Sequence, residues 1–335
     1  FGNAMLKKML GLLLILGLLG AGSAWLVYSA HRPTHLPLVV VIPPDQGVRD
    51  IAHTLAAADA IHSEIGFALM AKASGQANQL KAGTYRFESP LSMWAVMQKM
   101  ARGEVWVNEA TLTIQEGLTF RQFRAALNRH PDLRHDTQAL SDAEILQLLG
   151  APFTQAEGWF FPDTYAFRRG SSDVDVLRLA FNKMQKELLS AWETRMADTP
   201  LTEPYQALIL ASIIEKETGH AEDRAQVAAV FTNRLKIGMR LQTDPTVIYG
   251  AGDSYRGNLT RRHLQTDTPY NTYTRAGLPP TPIALPGRAA LAAALHPAES
   301  KALYFVAKGG GRSQFSESLD EHNRAVRKYI LGKAE

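Results

Sequence analysis

Cysteine is absent from the 335 residues, so disulfides, thiolate metal sites and a thiolate nucleophile are excluded. That absence does not fix the compartment, because an exported protein can do without cysteine. The 10 histidines show no ligand spacing, so no metal is expected. The chain has no HExxH, no GxSxG and no GxGxxG opening a βαβ unit, and Gly309-Gly310-Gly311 lacks the Lys-Ser/Thr of a phosphate loop. Zinc-peptidase, serine-hydrolase and nucleotide chemistry drop out, and no cofactor is expected. A strong excess of either charge is also missing. Residues 1–35 hold Lys7, Lys8 and Arg32 and no acid, which leaves 33 basic against 32 acidic residues in the remainder. A nucleic-acid binder would carry a basic face that shows in such a count, so nucleic acid is not an expected partner.

What is present is ordinary globular composition, 46% apolar and 20% charged, in a length that suits two domains. Residues 1–4 precede Met5 and are set aside as an expression scar. Met9 to Tyr28 is 20 residues without a charge, enough to cross a hydrocarbon core as a helix. Lys7 and Lys8 in front of it place the N-terminus in the cytoplasm and the remainder outside. A signal peptide cut after Ala24, with Gly22 at the other small position, is the alternative. The run stays apolar through Trp25-Leu26-Val27, which favours a retained anchor. The expected organisation is a cytoplasmic tip and transmembrane helix over 5–30, a linker over 31–37 and a small α+β unit over 38–107. A second small α+β unit and connection over 108–150 and a larger α+β domain over 151–335 complete it.

In the first unit, Leu38–Ile42 reads as a strand stopped by Pro43-Pro44. Gly47 opens a helix with Val48, Ile51, Ala52 and Leu55 on one face, and Ser63 caps a second. Gly83–Phe87 is a short strand, and Met93, Val96, Met97 and Met100 mark a helix whose methionines are core filler. This unit resembles a LysM-like module, a strand–helix–helix–strand fold that binds N-acetylglucosamine-containing glycans. An internal echo follows. Leu112 to Leu127 repeats the strand, polar turn (Gln115-Glu116-Gly117) and i, i+3, i+7 apolar spacing of Ile42 to Leu55.

Chemistry-bearing segments begin at Glu157. Trp159-Phe160-Phe161, between Gly158 and Pro162, suits either a wall for sugar rings or a hydrophobic plug. Ala207–Ile214 is apolar apart from Ser212, as in a buried helix. Glu215 continues the stripe of Leu208, Ala211 and Ser212, so its carboxyl is partly desolvated and its pKa raised, as a general acid requires. Glu217 lies about 200° further round the helix, so the two acids do not share one small site. A helix from Ala221 ends at Gly238, after which Arg240, Gln242 and Asp244 could face a ligand. Asp244 with Pro245 also suits an N-cap. Pro269–Tyr273 and Gly277–Ile283 form a polar, aromatic loop, Leu303–Ala307 a strand turned at the triple glycine, and His322 a structural residue at the start of the last helix.

Taken together, EGWFFPDTY, LASIIEKET, VFTNRLKIGMRLQTDPTVIYG, YNTY with the following GLPPTPI, and LYFV with the Gly run and EHN resemble the YceG-like family, the endolytic murein transglycosylases. They occur in family order over residues 157–323. The resemblance implies an inner-membrane, single-pass enzyme with a periplasmic catalytic domain. It would cut the MurNAc–GlcNAc bond inside peptidoglycan strands and leave 1,6-anhydro ends, with peptidoglycan synthases (penicillin-binding proteins) as partners. It places the catalytic glutamate at Glu215, with Glu217 the alternative. Glu157, Tyr165, Gln242, Asp244, Tyr249, Asn271 and Tyr273 are the expected substrate-binding residues. Two other readings stay open: a hydrolytic muramidase using Asp244 or Asp163 as second carboxylate, and a non-catalytic, membrane-tethered peptidoglycan-binding scaffold.

Overall fold

The computed structural model describes residues 10, 13, 17, 20–22, 24, 25 and 27–332. Half of the apolar run Met9–Tyr28 therefore lies outside the described residues. Among the described residues no helix is long and apolar enough to cross a membrane. The chain is mixed α+β and divides into two compact units, 1–108 and 109–335.

In the first unit, β1 (Ala30–His31) and β2 (Leu38–Ile42) lead into α1 (Val48–Ala57) and α2 (Glu64–Ala73), followed by β3 (Gly83–Phe87), β4 (Leu91–Ser92) and α3 (Met93–Arg102). Strand β2 pairs antiparallel with β3, and β1 with β4. The helix starts follow their caps. The hydroxyls of Ser63 and Ser92 accept N–H bonds from Gly66 and Ala95, each satisfying one donor that the first turn leaves open. Gly103, in the left-handed region at φ 70°, ends α3. Ile51 and Leu55 of α1 pack with Phe67, Tyr85, Met93, Met97 and Met100 in one core, so the methionines are core filler.

The second unit begins at β5 (Glu109–Thr113) and continues through α4 (Phe120–Arg129), α5 (Asp142–Leu148) and β6 (Thr164–Arg168). Strand β5 pairs antiparallel with β6 in the register Leu112 to Tyr165. The echo in the sequence is thus a second strand–helix–helix–strand segment, and its closing strand lies beyond residue 150. Phe120, Phe123 and Leu127 share a core with residues from both sides of that position, among them Phe160, Phe181 and Leu208. No structural break falls at 150/151 because β5 finds its partner strand after it.

The remaining elements are α6 (Asp173–Glu193), α7 (Pro204–Glu217), α8 (Ala221–Lys236), α9 (Asp244–Ala251), α10 (Arg261–Gln265), α11 (Arg288–Leu295), the hairpin β7 (Tyr304–Gly309) and β8 (Arg312–Ser316), and α12 (Leu319–Tyr329). Helix α7 carries Pro at its start, and every residue from Ala207 to Ile214 is buried. An element apolar all round is stable only as a central one, and α7 packs against α6, α8, α9 and α11. Its one internal polar group, the Ser212 hydroxyl, donates to the Ile209 carbonyl and accepts the Ile283 N–H. That second bond fixes the segment after GLPP to the helix. The aromatic trio is the plug, not the sugar wall. Trp159, Phe160 and Phe161 are each at most 5% exposed, with Phe160 stacked on Phe120 at 4.7 Å and Trp159 on Phe153 at 3.8 Å. Rings so placed lose more exposed area inside the core than a sugar face could cover. His322 stacks on Tyr304.

Candidate active site

Three chain segments converge on the last turn of α7. Glu215 is half-buried there, and its Oε2 accepts the N–H of Gly287, the N-cap residue of α11, at 3.0 Å. The Gly287 N–H is held in place by the segment pinned at Ser212. That segment is tied in turn to the turn after β5, because Gly117 donates to the Leu285 carbonyl at 2.9 Å and Leu285 donates to the Leu118 carbonyl at 2.7 Å. The turn brings Glu116 against the site. A Cβ at Gly287 would fall 1.7 Å from its Oε1, so glycine is what lets this carboxylate lie over the start of α11. Lys216 closes the turn by donating from Nζ to the Gly117 carbonyl at 3.1 Å.

These neighbours set the proton affinity of Glu215. Burial raises its pKa from the ordinary carboxyl value. The Gly287 N–H, Arg224 and Lys216 oppose the rise, and the negative charge of Glu116 adds to it. A half-buried carboxyl biased toward its neutral form, with a backbone donor ready to receive the anion, can give up a proton and later take one back.

Glu217, from the same turn, faces elsewhere. It accepts the Thr243 hydroxyl at 2.7 Å, and burial raises its pKa, with Asp244 adding to the shift. Around it gather three of the sequence candidates. The Tyr273 hydroxyl donates to Asp244 at 2.6 Å, and the Gln242 N–H donates to the Thr272 carbonyl at 3.1 Å. Gln242 sits at φ 48°, a conformation that costs a non-glycine residue of order 1–3 kcal/mol and collects at functional sites. Asp244 is the first residue of α9 and Thr243 its N-cap; the Asp244 carboxylate holds Tyr273 and does not cap the helix.

A third cluster centres on Glu157. Its carboxylate accepts the Phe120 N–H at 2.9 Å and the Tyr249 hydroxyl at 3.1 Å. Burial lifts its pKa to about 7 against those two bonds. It joins the start of α4 to α9 and is 8% exposed. Tyr165 and Asn271 make their hydrogen bonds inside the fold. The Tyr165 hydroxyl is spent on the Phe161 carbonyl at 2.6 Å. The Asn271 amide shares its two N–H hydrogens among the carbonyls of His263, Leu264 and Thr266, and its oxygen accepts the Tyr273 N–H, so both donors are engaged within the fold.

Sequence reasoning missed Glu116, Gly287 and Arg224. Glu116 was visible only as part of a polar turn, and its approach to Glu215 depends on a contact across some hundred residues of chain. Asp163, a candidate second carboxylate, pairs with Lys183. Among the described residues no group of three or more acids and histidines could hold a metal.

Comparison with known proteins follows the same lines. The YceG-like family profile matches residues 40–328. An endolytic murein transglycosylase of Bacillus subtilis is 32% identical over 326 residues, covering 92% of this chain and 89% of that protein. The one of Streptococcus pneumoniae serotype 2 is 28% identical over 361 residues, covering 96% of this chain and 65% of its own length. A crystal structure of a yceG-like protein from Listeria monocytogenes superposes with a TM-score of 0.53 at 30% identity, over 86% of this chain and 98% of that one. With the family profile spanning most of its length, this chain belongs to the YceG-like family.

Proposed function

We propose that this protein is an endolytic murein transglycosylase that cuts the β-1,4 bond between N-acetylmuramic acid and N-acetylglucosamine inside nascent peptidoglycan strands. The observation that carries the proposal is the half-buried Glu215 at the end of an otherwise apolar helix, its carboxyl held toward the protonated state and its anion supplied with the Gly287 N–H. Glu215 gives its proton to the glycosidic oxygen as the bond breaks. The carboxylate so formed takes the proton from the sugar's own 6-hydroxyl, which closes a 1,6-anhydro ring on the muramic acid. The nucleophile is intramolecular and comes with a high effective molarity, so no second acid has to position water. Gln242, Asp244 and Tyr273, which gather beside Glu217, and Glu157 with Tyr249 are the residues assigned to holding sugars on either side of the cut. The run Met9–Tyr28 anchors the enzyme in the inner membrane with its N-terminus cytoplasmic. The first unit serves as a LysM-like module, and peptidoglycan synthases work alongside.

Glu116 gives the hydrolytic muramidase a specific footing, since it is the carboxylate that faces Glu215, whereas Asp163 and Asp244 are held by Lys183 and Tyr273. Water-using glycosidases need such a pair. Digestion of purified peptidoglycan with mass analysis of the fragments tests the proposal. Anhydro ends with the summed mass unchanged are expected; products heavier by one water at each cut would establish the hydrolase, and no soluble fragments the scaffold.

Replacing Glu116 tests its role separately. Its charge disfavours the Glu215 carboxylate, so Glu116→Gln lowers the Glu215 pKa. A general acid works only while protonated, so activity falls as pH rises through that pKa. The alkaline limb of the kcat/KM profile is therefore expected to move to lower pH, with activity retained on the acid side. Loss of activity at every pH would instead make Glu116 the base of a hydrolase.

A further inference from the structure

Helix α2 carries too little polar surface for a place at the edge of a small unit. Its inner side, Phe67, Met70 and Ala71, is buried in the core of the first unit. Its outer side is the stripe Ile65, Leu69 and Ala73, at four-residue spacing, with Ile65 74% and Leu69 63% exposed. The helix holds two charged residues, Glu64, which meets His53 of α1 at 3.2 Å, and Lys72. A helix that is apolar on both sides belongs where both are covered, and among the described residues of the first unit the outer stripe stays bare. Leu69 and Ala73 line a groove of about 470 Å³ together with Ala24, Val27, Tyr28 and Trp94.

The place where the charge-free run Met9–Tyr28 ends decides what covers that stripe. Val27 packs against the core of the first unit, and the Tyr28 ring lies 5.9 Å from that of Trp94. Strand β1 starts at Ala30, two residues or at most about 7 Å of chain beyond Tyr28, and pairs at once with β4. The expected linker over 31–37 is itself fastened at two points. His31 Nε2 lies 2.8 Å from Asp59 Oδ1, and Thr34 donates its N–H to Asp59 Oδ2 at 2.6 Å. The run therefore joins the unit without slack. With the run in a bilayer, Trp25 and Tyr28 sit at the level where such rings collect, and the stripe of α2 meets the same interface. We propose that the outer face of α2 lies on the bilayer surface, with Ile65 and Leu69 among the acyl chains and the exposed Lys72 and Arg32 facing anionic headgroups. The proposal rests on the run Met9–Tyr28 being the anchor and deepens that reading: the first unit is held to lipid by a face of its own as well as by its tether.

The test uses the full chain, whose lack of cysteine lets a single thiol be placed at will. Ile65→Cys, Leu69→Cys and the control Val41→Cys, at a position 60% exposed on β2, are each labelled with a small fluorophore. Each is then reconstituted into nanodiscs of phosphatidylethanolamine and phosphatidylglycerol. An unchanged unfolding midpoint qualifies each variant, and either α2 position suffices should the other unfold. Lipids brominated on the acyl chain quench probes in the bilayer, and iodide quenches probes in water. Labels at 65 and 69 are expected to lose emission to brominated lipid and to be sheltered from iodide, with the reverse at 41. Iodide quenching at all three positions, in protein that co-migrates with the discs, overturns the docking and leaves the anchor standing. Shelter from both quenchers at 65 and 69 places a second copy on the stripe and overturns lipid as its occupant. Lipid quenching at 41 as strong as at 69 overturns the choice of face. Protein that does not co-migrate with the discs removes the anchor and the docking with it.

Discussion

Glu215→Gln is expected to fold as the parent does and to release no anhydro fragments from purified peptidoglycan. The amide oxygen can still accept the Gly287 N–H, so the last turn of α7 keeps its tie to α11. What disappears is the transferable proton. General acid–base catalysis by one side chain contributes about 10²–10⁴-fold, and here one group acts twice, so a fall of at least about 10³ in kcat is expected. Stability should not suffer. The raised pKa means the folded state binds the Glu215 proton more tightly than the unfolded chain does. Ionisation therefore weakens the fold as pH rises past the unfolded value, and a neutral amide removes that penalty. The unfolding midpoint at neutral pH should equal or slightly exceed that of the parent. Glu217→Gln is the matched control. It replaces a buried carboxyl bound to Thr243 and should keep most activity; if instead activity is lost there and retained in Glu215→Gln, the assignment moves two residues along the helix.

The second large effect concerns folding. Gly158 sits at φ 85°, and a Cβ on it would fall 2.4 Å from Cγ of Pro282. The left-handed conformation costs an L side chain about 1–2 kcal/mol, and overpacking adds about 1–3 kcal/mol. Pro282 cannot swing aside as a flexible chain end would, because the neighbouring Ile283 N–H is bonded to Ser212. Gly158→Ala should therefore lose about 2–5 kcal/mol, read as a lower denaturant midpoint of the second unit. A change under about 0.5 kcal/mol would show that the two segments do not press on each other as described. The pair joins EGWFF to LPPTPI across the fold. One motif provides the bare backbone on which the other rests.

Local features were legible in the sequence and long-range ones were not. Caps at Ser63 and the stop at Gly238 followed from single residues whose backbone chemistry is local. The burial of α7 could be read because apolar side chains on every face leave a helix no solvent side. Even the different bearings of Glu215 and Glu217 followed from the helical pitch alone. Errors arose where two remote segments decide. Trp159, Phe160 and Phe161 have the same composition whether they face a sugar or Phe120 and Phe153, and only the tertiary fold distinguishes these. The partners of Asn271 were equally hidden, because an amide is as able to bind a sugar as to bond to backbone carbonyls of its own loop.

The ladder between β5 and β6 has a bearing on how the enzyme can be dissected. Glu116 and the turn that seats it hang from β5, and Phe120 and Phe123 just beyond fill the core under the reacting centre. A truncated form starting after residue 150 would lose the partner strand of β6 and the carboxylate of Glu116 beside Glu215 together. The smallest autonomous fragment with a complete centre therefore starts no later than Glu109, and the segment over 109–150 folds as part of the same unit as the helices that follow.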